Sequence, residues 1–431
     1  LASSVGAQKG HEFPLLDRQV DPANRLAIVS AGFTNQELQK AAAAAGFFWA
    51  PDPTSAAVST IGGNLAYNSA GPRAVKYGTP RDNTLGLRAV DGRGKIFKTG
   101  VTTTKGVVGY DLTRLLIGSE GTLAVITEAI LKLTPLQPAR RMLRAEYRDM
   151  HAAAAAVANI MARPVTPCAL EFMDGNAIQM VRSEVPSDLH PDAGALLIIE
   201  MDGMESQLDD ISAEIAQAAQ VEGTLSIRRA QTPQDAAALW DVRKALSPAL
   251  RRVAPKKINE DVVVPVSRMP DLVDRLADLS QRHRIRIVNF GHAGNGNLHV
   301  NLLYDPHDPA QKQRADACLE DVFAAVLEMD GTISGEHGIG LVKRDWVARE
   351  LDATSLELRL ARLTETLVTE SELDQALADR AAIDRSGATT VNELFSKDPE
   401  IKAIHAGLEC GLFLQKYPQL DMISLGPTIK G

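Results

Sequence analysis

Two histidines, His292 and His299, frame a Gly/Asn-rich kink in the stretch that runs from Asn289 through Gly294-Asn295-Gly296 to Asn301. About forty residues later, Gly335-Glu336-His337-Gly338 adds a carboxylate and a third imidazole. Two imidazoles and a carboxylate are the donor set a catalytic Zn²⁺ or similar divalent ion takes when one position stays open for substrate. The glycines permit turns that side chains would forbid. Leu298 to Leu303 alternates as a strand does, so His299 and Asn301 share one face while Leu298, Val300 and Leu302 face a core. His292 and His299 are seven positions apart. On one unbroken strand that odd spacing sends them to opposite faces, so the Gly294-Asn295-Gly296 kink must reorient one of them if they converge. Two readings stay open: a divalent metal site, and two hydrogen-bonding histidines at a strand end.

The elements around these residues read as strand–helix–strand. Met142 to Tyr147, Ala169 to Met173, Ala195 to Met201, Thr224 to Arg228, Glu260 to Pro265 and Arg286 to Phe290 are expected strands. Met150 to Ala162, Glu205 to Glu222 and Met269 to His283 are expected helices between them, and Ala310 to Met329 a long amphipathic helix entered at Pro309. Three such units without nucleotide-type glycine loops suggest an α+β domain on an antiparallel sheet. Ahead of them, Arg25 to Ser30 reads as a strand and Asn35 to Gly46 as an alanine-rich helix stopped by glycine. Residues 51–135 are dense in Gly, Pro, Asn, Thr and Ser, the composition of loops that bind a ligand along their backbone.

The bulk numbers exclude several classes. A length of 431 residues allows two or three domains. A net charge of −8 and 4% aromatic residues argue against a nucleic-acid surface. Three distant cysteines, Cys168, Cys318 and Cys410, exclude a disulfide framework and suit a reducing compartment, so a cytoplasmic location is expected. No apolar run reaches the length of a membrane span, and residues 1–20 do not read as a signal peptide.

Thr60-Ile61-Gly62-Gly63-Asn64-Leu65-Ala66-Tyr67-Asn68-Ser69-Ala70-Gly71 and Gly118-Ser119-Glu120-Gly121-Thr122-Leu123-Ala124-Val125-Ile126-Thr127 match neither the dinucleotide nor the phosphate-loop fingerprint. Each alone reads equally as a tight turn in a β-rich domain. Seven motifs in order say more: P-D-P-T-S, I-G-G-N-L-A-Y-N, K-Y-G-T-P-R-D-N, G-Y-D-L, I-G-S-E-G-T-L-A-V-I-T, G-H-A-G-N-G-N-L-H and G-E-H-G-I-G. Together, over about residues 20 to 350, they resemble the FAD-linked oxidase family, which includes the glycolate oxidase flavin subunit and the D-lactate and D-2-hydroxyglutarate dehydrogenases.

The resemblance implies an α+β protein: a two-part FAD-binding domain, incomplete at its N-terminus, over 1–138, and an α+β cap domain on an antiparallel sheet over 139–345. It implies that Pro53, Gly62, Gly63, Asn64, Asn68, Gly71 and Gly78 lie along FAD, with Glu120, Gly121 and Ile126 further along it. His292, His299 and Glu336 match metal ligands, with Zn²⁺ the expected ion. His337 matches the group that accepts the substrate hydroxyl proton. Arg243 and Lys257 match residues that hold a carboxylate, Ser247 stands where relatives carry a hydroxyl, and Asn301 matches a substrate-side amide. Read without the family, Arg243 is equally a solvated helix-face charge and Lys257 one member of a basic run. The implied reaction oxidises a small D-2-hydroxy acid to the 2-oxo acid. Hydride passes to flavin and then to an electron acceptor the sequence does not identify, and a homodimer is compatible with this reading.

Two stretches depart from the family. Relatives carry a glycine-rich loop for the FAD pyrophosphate before residue 20, whereas Leu1 to Gln19 holds only Gly6 and Gly10, so weak FAD binding is expected. Residues 346–390 read as a helical segment and linker, and 391–431 resemble the aminoacyl-histidine dipeptidase family, on Lys397 to Phe413 and Tyr417 to Ile429. The rival expectation is therefore a non-catalytic chimeric or remnant polypeptide that cannot hold FAD.

Overall fold

The computed structural model describes residues 19–182 and 189–357. The expectations for residues 1–18, for most of the 346–390 helical segment and for the dipeptidase-like stretch fall outside these residues.

The first unit comprises β1 (Gln19–Asp21), β2 (Leu26–Ser30), α1 (Asn35–Ala44), β3 (Phe47–Phe48), α2 (Ile61–Tyr67), α3 (Ala74–Tyr77), β4 (Thr84–Asp91), β5 (Ile96–Gly100), α4 (Leu112–Leu116), β6 (Ala124–Lys132) and β7 (Thr134–Pro135). α1 starts where Thr34 and Glu37 cap each other's orphan amides, and it buries Leu38 and Ala42 one turn apart. Five strands form an antiparallel sheet in the order β1-β2-β6-β4-β5. Val29, Leu38, Trp49, Ile61, Leu65, Leu87 and Leu131 fill its core. The glycine-rich stretch after Thr60 is the helix α2, capped by the Thr60 hydroxyl on the Gly63 amide. The tight-turn reading of that stretch is thereby corrected: with Ile61 and Leu65 buried four apart, its apolar spacing is helical.

The second unit comprises β8 (Ala139–Tyr147), α5 (Met150–Met161), β9 (Ala169–Asp174), α6 (Gly175–Arg182), β10 (Ala195–Gly203), α7 (Glu205–Ala219), β11 (Thr224–Arg229), α8 (Pro233–Val253), β12 (Lys256–Val263), α9 (Met269–His283), β13 (Arg286–His292), β14 (Asn297–Tyr304), α10 (Pro309–Glu328) and α11 (Val347–Glu350). Its seven strands pair antiparallel throughout, in the order β11-β8-β10-β9-β13-β14-β12. α5, α7, α9 and α10 cover one face, packing Val157, Leu208, Leu276 and Phe323 against Leu143, Leu170, Leu197, Val300 and Leu302. α6 and α8 cover only part of the other, over Met142, Met173, Ile198 and Val288. The sequence reading assigned no element between Arg228 and Glu260, where α8 lies, nor at α6. The uncovered remainder of this second face, at the β9, β13, β14 and β12 end, carries the polar residues.

Candidate active site

β13 and β14 form a hairpin closed by a short 3-10 turn, Ala293–Asn295, and by Gly296 at φ +69. A Cβ on Gly296 would lie 1.9 Å from the Val264 carbonyl oxygen, so only glycine fits. In the register, Phe290 pairs with His299 and His292 with Asn297. Paired residues share a face, so even positions of β13 stand with odd positions of β14. That parity brings His292 and His299 together. The rings meet edge to face with centroids 5.3 Å apart.

Glu336 enters from the loop after α10. Its Oε1 lies 3.4 Å from His292 Nε2 and 3.5 Å from His299 Nε2, and ligand atoms of the three residues lie within 4.8 Å of one another. His337 stacks on His299 with centroids 5.3 Å apart and is the most exposed member, at 36% for its side chain. The structure thus brings His292, His299, Glu336 and His337 together.

Two buried carboxylates behind the cluster were not singled out. Glu171 on β9 is the strand neighbour of His292 and bonds to its Nδ1; its other oxygen accepts Arg243 Nε at 3.0 Å. The Arg243 guanidinium, from α8, lies 4.4 Å above the Phe290 ring. Asp261 on β12 is the strand neighbour of His299. It accepts the amides of Gly335 at 2.7 Å, of Glu336, and of His337 at 3.1 Å, and the Lys343 ammonium at 2.9 Å. One fully buried carboxylate therefore shapes the loop that carries both Glu336 and His337. The readable signal for Glu171 was a charge flanked on both sides by apolar residues in the strand Ala169–Asp174, a position that demands a partner.

Asn301 stands on the His299 face, but its amide is spent internally: it accepts Lys257 Nζ at 3.1 Å and donates to the Val288 and His299 carbonyls, each at 3.1 Å. Ser247 lies on α8, one turn after Arg243; its side chain is outside the described residues.

The first unit closes the site from the other side. The Gly71 amide donates to Glu336 Oε2 at 3.0 Å, and the Ser69 hydroxyl to the Glu336 carbonyl at 3.3 Å. Glu120 accepts the amides of Ile339 at 2.5 Å and Gly340 at 3.1 Å. Tyr77 and Lys76 both hold Asp202 at the end of β10, at 2.7 and 2.5 Å. Of the residues expected along FAD, Gly62, Gly63 and Asn64 lie on α2, and Asn68 ends it in the left-handed region with its side chain accepting the Arg81 amide. Pro53 and Gly71 meet, since a Cβ on Gly71 would lie 2.8 Å from the Pro53 nitrogen. Gly78 ends α3, Gly121 lies at φ +79, and Ile126 packs into the first unit's core.

Burial, helped by the charges of His292 and His337, holds His299 well below its ordinary value, so it is a neutral donor. Burial also disfavours charge on His292, but Glu171 and Glu336 outweigh it and lift His292 to about 10. Glu336 is held well below the carboxylate range: burial opposes this, and His292, His299 and His337 overcome it. Burial likewise opposes charge on Asp261, yet His337 and Lys343 bring it to about 2.

The donor set fits a divalent ion: two imidazole nitrogens and one carboxylate oxygen, with the His292 Nδ1 held by a second carboxylate. The first unit fits a polar cofactor. Ser59 Oγ and Asn64 Nδ2 are buried without a hydrogen-bond partner among the described residues, and such atoms are costly unless a ligand satisfies them.

Two antiparallel α+β units meeting at such a cleft define a two-domain FAD-binding oxidase fold. Solved structures of the same architecture include p-cresol methylhydroxylase (TM-score 0.61, 14% identity, 81% of this chain and 75% of that one). Alkyldihydroxyacetonephosphate synthase is another (TM-score 0.59, 20% identity, 73% of this chain and 61% of that one). The model for the C-terminal domain of FAD linked oxidases matches residues 136–361, and an FAD binding domain model matches residues 15–100. The chain is 35% identical to glycolate oxidase subunit GlcD of Bacillus subtilis, over 90% of this chain and 78% of that one. It is 32% identical to the GlcD of Escherichia coli (78% and 67%) and 32% identical to a D-lactate dehydrogenase of Anaerostipes hadrus (78% and 73%). The chain belongs to the FAD-linked oxidase family. Among the described residues, no helix is long and apolar enough to cross a membrane.

Proposed function

We propose that this protein oxidises a small D-2-hydroxy acid of the lactate, glycolate or 2-hydroxyglutarate class to the 2-oxo acid, with FAD and one divalent ion, most simply Zn²⁺, at His292, His299 and Glu336. The observation that carries this reading is the gathering of the three ligand atoms within 4.8 Å, flanked by His337 on one side and Arg243 on the other. Relatives named for glycolate and D-lactate oxidation support the substrate class.

When bound, FAD supplies a hydride acceptor and the ion a Lewis acid for the α-hydroxyl. The protein's own residues do the rest. Arg243 presents a planar fork for a carboxylate; its Nε is taken by Glu171, and its two Nη groups have no acceptor among the described residues. Phe290 supports the guanidinium from below. His337, stacked on His299 and partly exposed, takes the hydroxyl proton, and Asp261 at 3.5 Å from its Nδ1 orients the ring. Glu336 also accepts the Gly71 amide, which ties the first unit to the cap beside these groups.

The test is anaerobic mixing of FAD-supplemented protein with D-lactate, glycolate, D-2-hydroxyglutarate and the L-isomers. A D-acid bleaches the flavin band and its L-isomer does not. Protein with bound flavin that none of these acids reduces sinks the reading, and protein that binds no FAD favours a non-catalytic chain.

A further inference from the structure

Glu171 is buried to 2% exposure in the middle of a strand in which every residue is buried, and its two oxygens point to two different machines. One holds His292 on the metal side and the other holds Arg243 on the substrate side. No other described residue bonds to both. We propose that Glu171 is a positioning residue that sets the His292 tautomer for metal binding and, through the same carboxylate, the orientation of Arg243 for substrate binding. The inference rests on the reading above of His292 as a ligand and Arg243 as the carboxylate anchor.

Donors and acceptors around this carboxylate must match. The Arg243 Nε–H can only donate, so one oxygen of residue 171 must accept it. An ionised carboxylate also only accepts, so the second oxygen requires a proton on His292 Nδ1. To ligate a metal His292 must be the neutral imidazole, which carries one proton. With it fixed on Nδ1, the lone pair is left on Nε2, the atom that faces Glu336 and His299 Nε2. Only a carboxylate supplies two acceptors here. Glutamine has nearly the same shape but one acceptor. Arg243 claims that acceptor, the amide NH₂ turns to His292, Nδ1 becomes an acceptor, and the proton moves to Nε2, which then cannot ligate. The geometry also ties the two sites spatially: Nε–H on Glu171 and the ring of Phe290 beneath together fix the Arg243 guanidinium, whose Nη groups have no hydrogen-bond acceptor among the described residues.

The experiment compares wild type, Glu171→Gln and Glu171→Asp. Zinc affinity is read by chelator competition, His292 protonation by ¹⁵N NMR of imidazole-labelled protein, and KM and kcat with the D-acid that reduces the wild type. Glu171→Gln is expected to weaken zinc binding roughly 10–100-fold, the usual worth of a carboxylate behind a ligating histidine. It should also move the His292 proton from Nδ1 to Nε2 and raise KM more than it lowers kcat. Glu171→Asp keeps both acceptors on a shorter stem and should recover part of each loss. Wild-type zinc affinity with the proton still on Nδ1 in Glu171→Gln overturns the proposal. If Glu171→Gln does not fold, Glu171→Asp decides: unchanged zinc affinity and KM overturn it, a loss in both supports it. Wild-type protein that takes up no zinc overturns the metal reading itself, and the role of Glu171 with it.

Discussion

Glu336 faces two ways: its Oε1 lies 3.4 Å from His292 Nε2 while its Oε2 accepts the Gly71 amide at 3.0 Å from the other unit. One carboxylate is thus both a candidate metal ligand and a clamp between the FAD-binding unit and the cap. Gly71 sits at φ +75, and a Cβ there would meet the Asp52 carbonyl oxygen at 2.5 Å. Gly71→Ala should therefore displace the clamp at a cost of about 1–3 kcal/mol. Zinc content and thermal stability should both fall although residue 71 contributes no ligand atom. Unchanged zinc content in a folded Gly71→Ala protein would break the link.

His299 is a neutral, buried imidazole whose Nε2 faces Glu336. His299→Ala should abolish the one ion per chain that elemental analysis of wild-type protein is expected to find. Full occupancy in the variant would remove His299 from the ligand set.

His337 differs from the other two histidines in being partly exposed and in standing outside the triad of ligand atoms. His337→Ala should slow flavin reduction by ~10²–10⁴-fold, the worth of a general base, while zinc and FAD stay bound. A variant that loses zinc instead would make His337 a ligand and not the base.

Asp261 accepts three consecutive backbone amides and one oxygen meets the ammonium of Lys343, whose side chain is only 2% exposed. Asp261→Asn leaves that buried cation with Glu260 at 3.1 Å and disrupts the loop. A loss of about 3–5 kcal/mol is expected, the range for breaking a buried pair, read as a lower denaturant midpoint. A shift below about 1 kcal/mol would contradict it, being the scale of an exposed pair.

Asp174 gives a pH signature away from the ligands. Burial pushes it up to about 6, against hydrogen bonds from Ala177 and Asn289 that favour the charged form. The folded protein then binds this proton more tightly than the unfolded chain. The stabilisation is full below about 4 and is lost as pH rises through about 6. Relative to Asp174→Asn, the wild type should lose on the order of 3 kcal/mol of stability across that window. Parallel stability curves for the two proteins between pH 4 and pH 7 would refute it.

Most strands and helices of the cap were legible because their apolar residues repeat at the strand or helix period: Met269–His283 was read with its observed bounds, and Ala169–Asp174 within one residue. α8 was not, although its Thr232–Asp235 capping box was there to read. Its apolar positions are interrupted by Arg, Lys and Pro, and it is held by packing with α6 and β8 in the cluster that gathers Val242, Leu246 and Leu250 with Met142 and Ile178. The α2 stretch left a ligand-binding loop and a tight turn open, and neither is a helix; burial of Ile61 and Leu65 overrides the low helix propensity of its glycines.

By itself the sequence determined the chemical inventory and the family: the two histidines, Glu336 and His337, and the ordered motifs that single out FAD-linked oxidases. Residue types and short spacings suffice for that, because ligand chemistry is a property of side chains. Which of them converge, and what stands behind them, was decided only by tertiary structure. The hairpin register, with its even-to-odd pairing across β13 and β14, turned an unfavourable spacing of seven into a shared face. The strand order β9-β13-β14-β12 then set Glu171 beside His292 and Asp261 beside His299 across 121 and 38 residues of chain. Strand pairing is a long-range choice made by the burial of the opposite face, against α5, α7, α9 and α10, and no local pattern around either carboxylate records it.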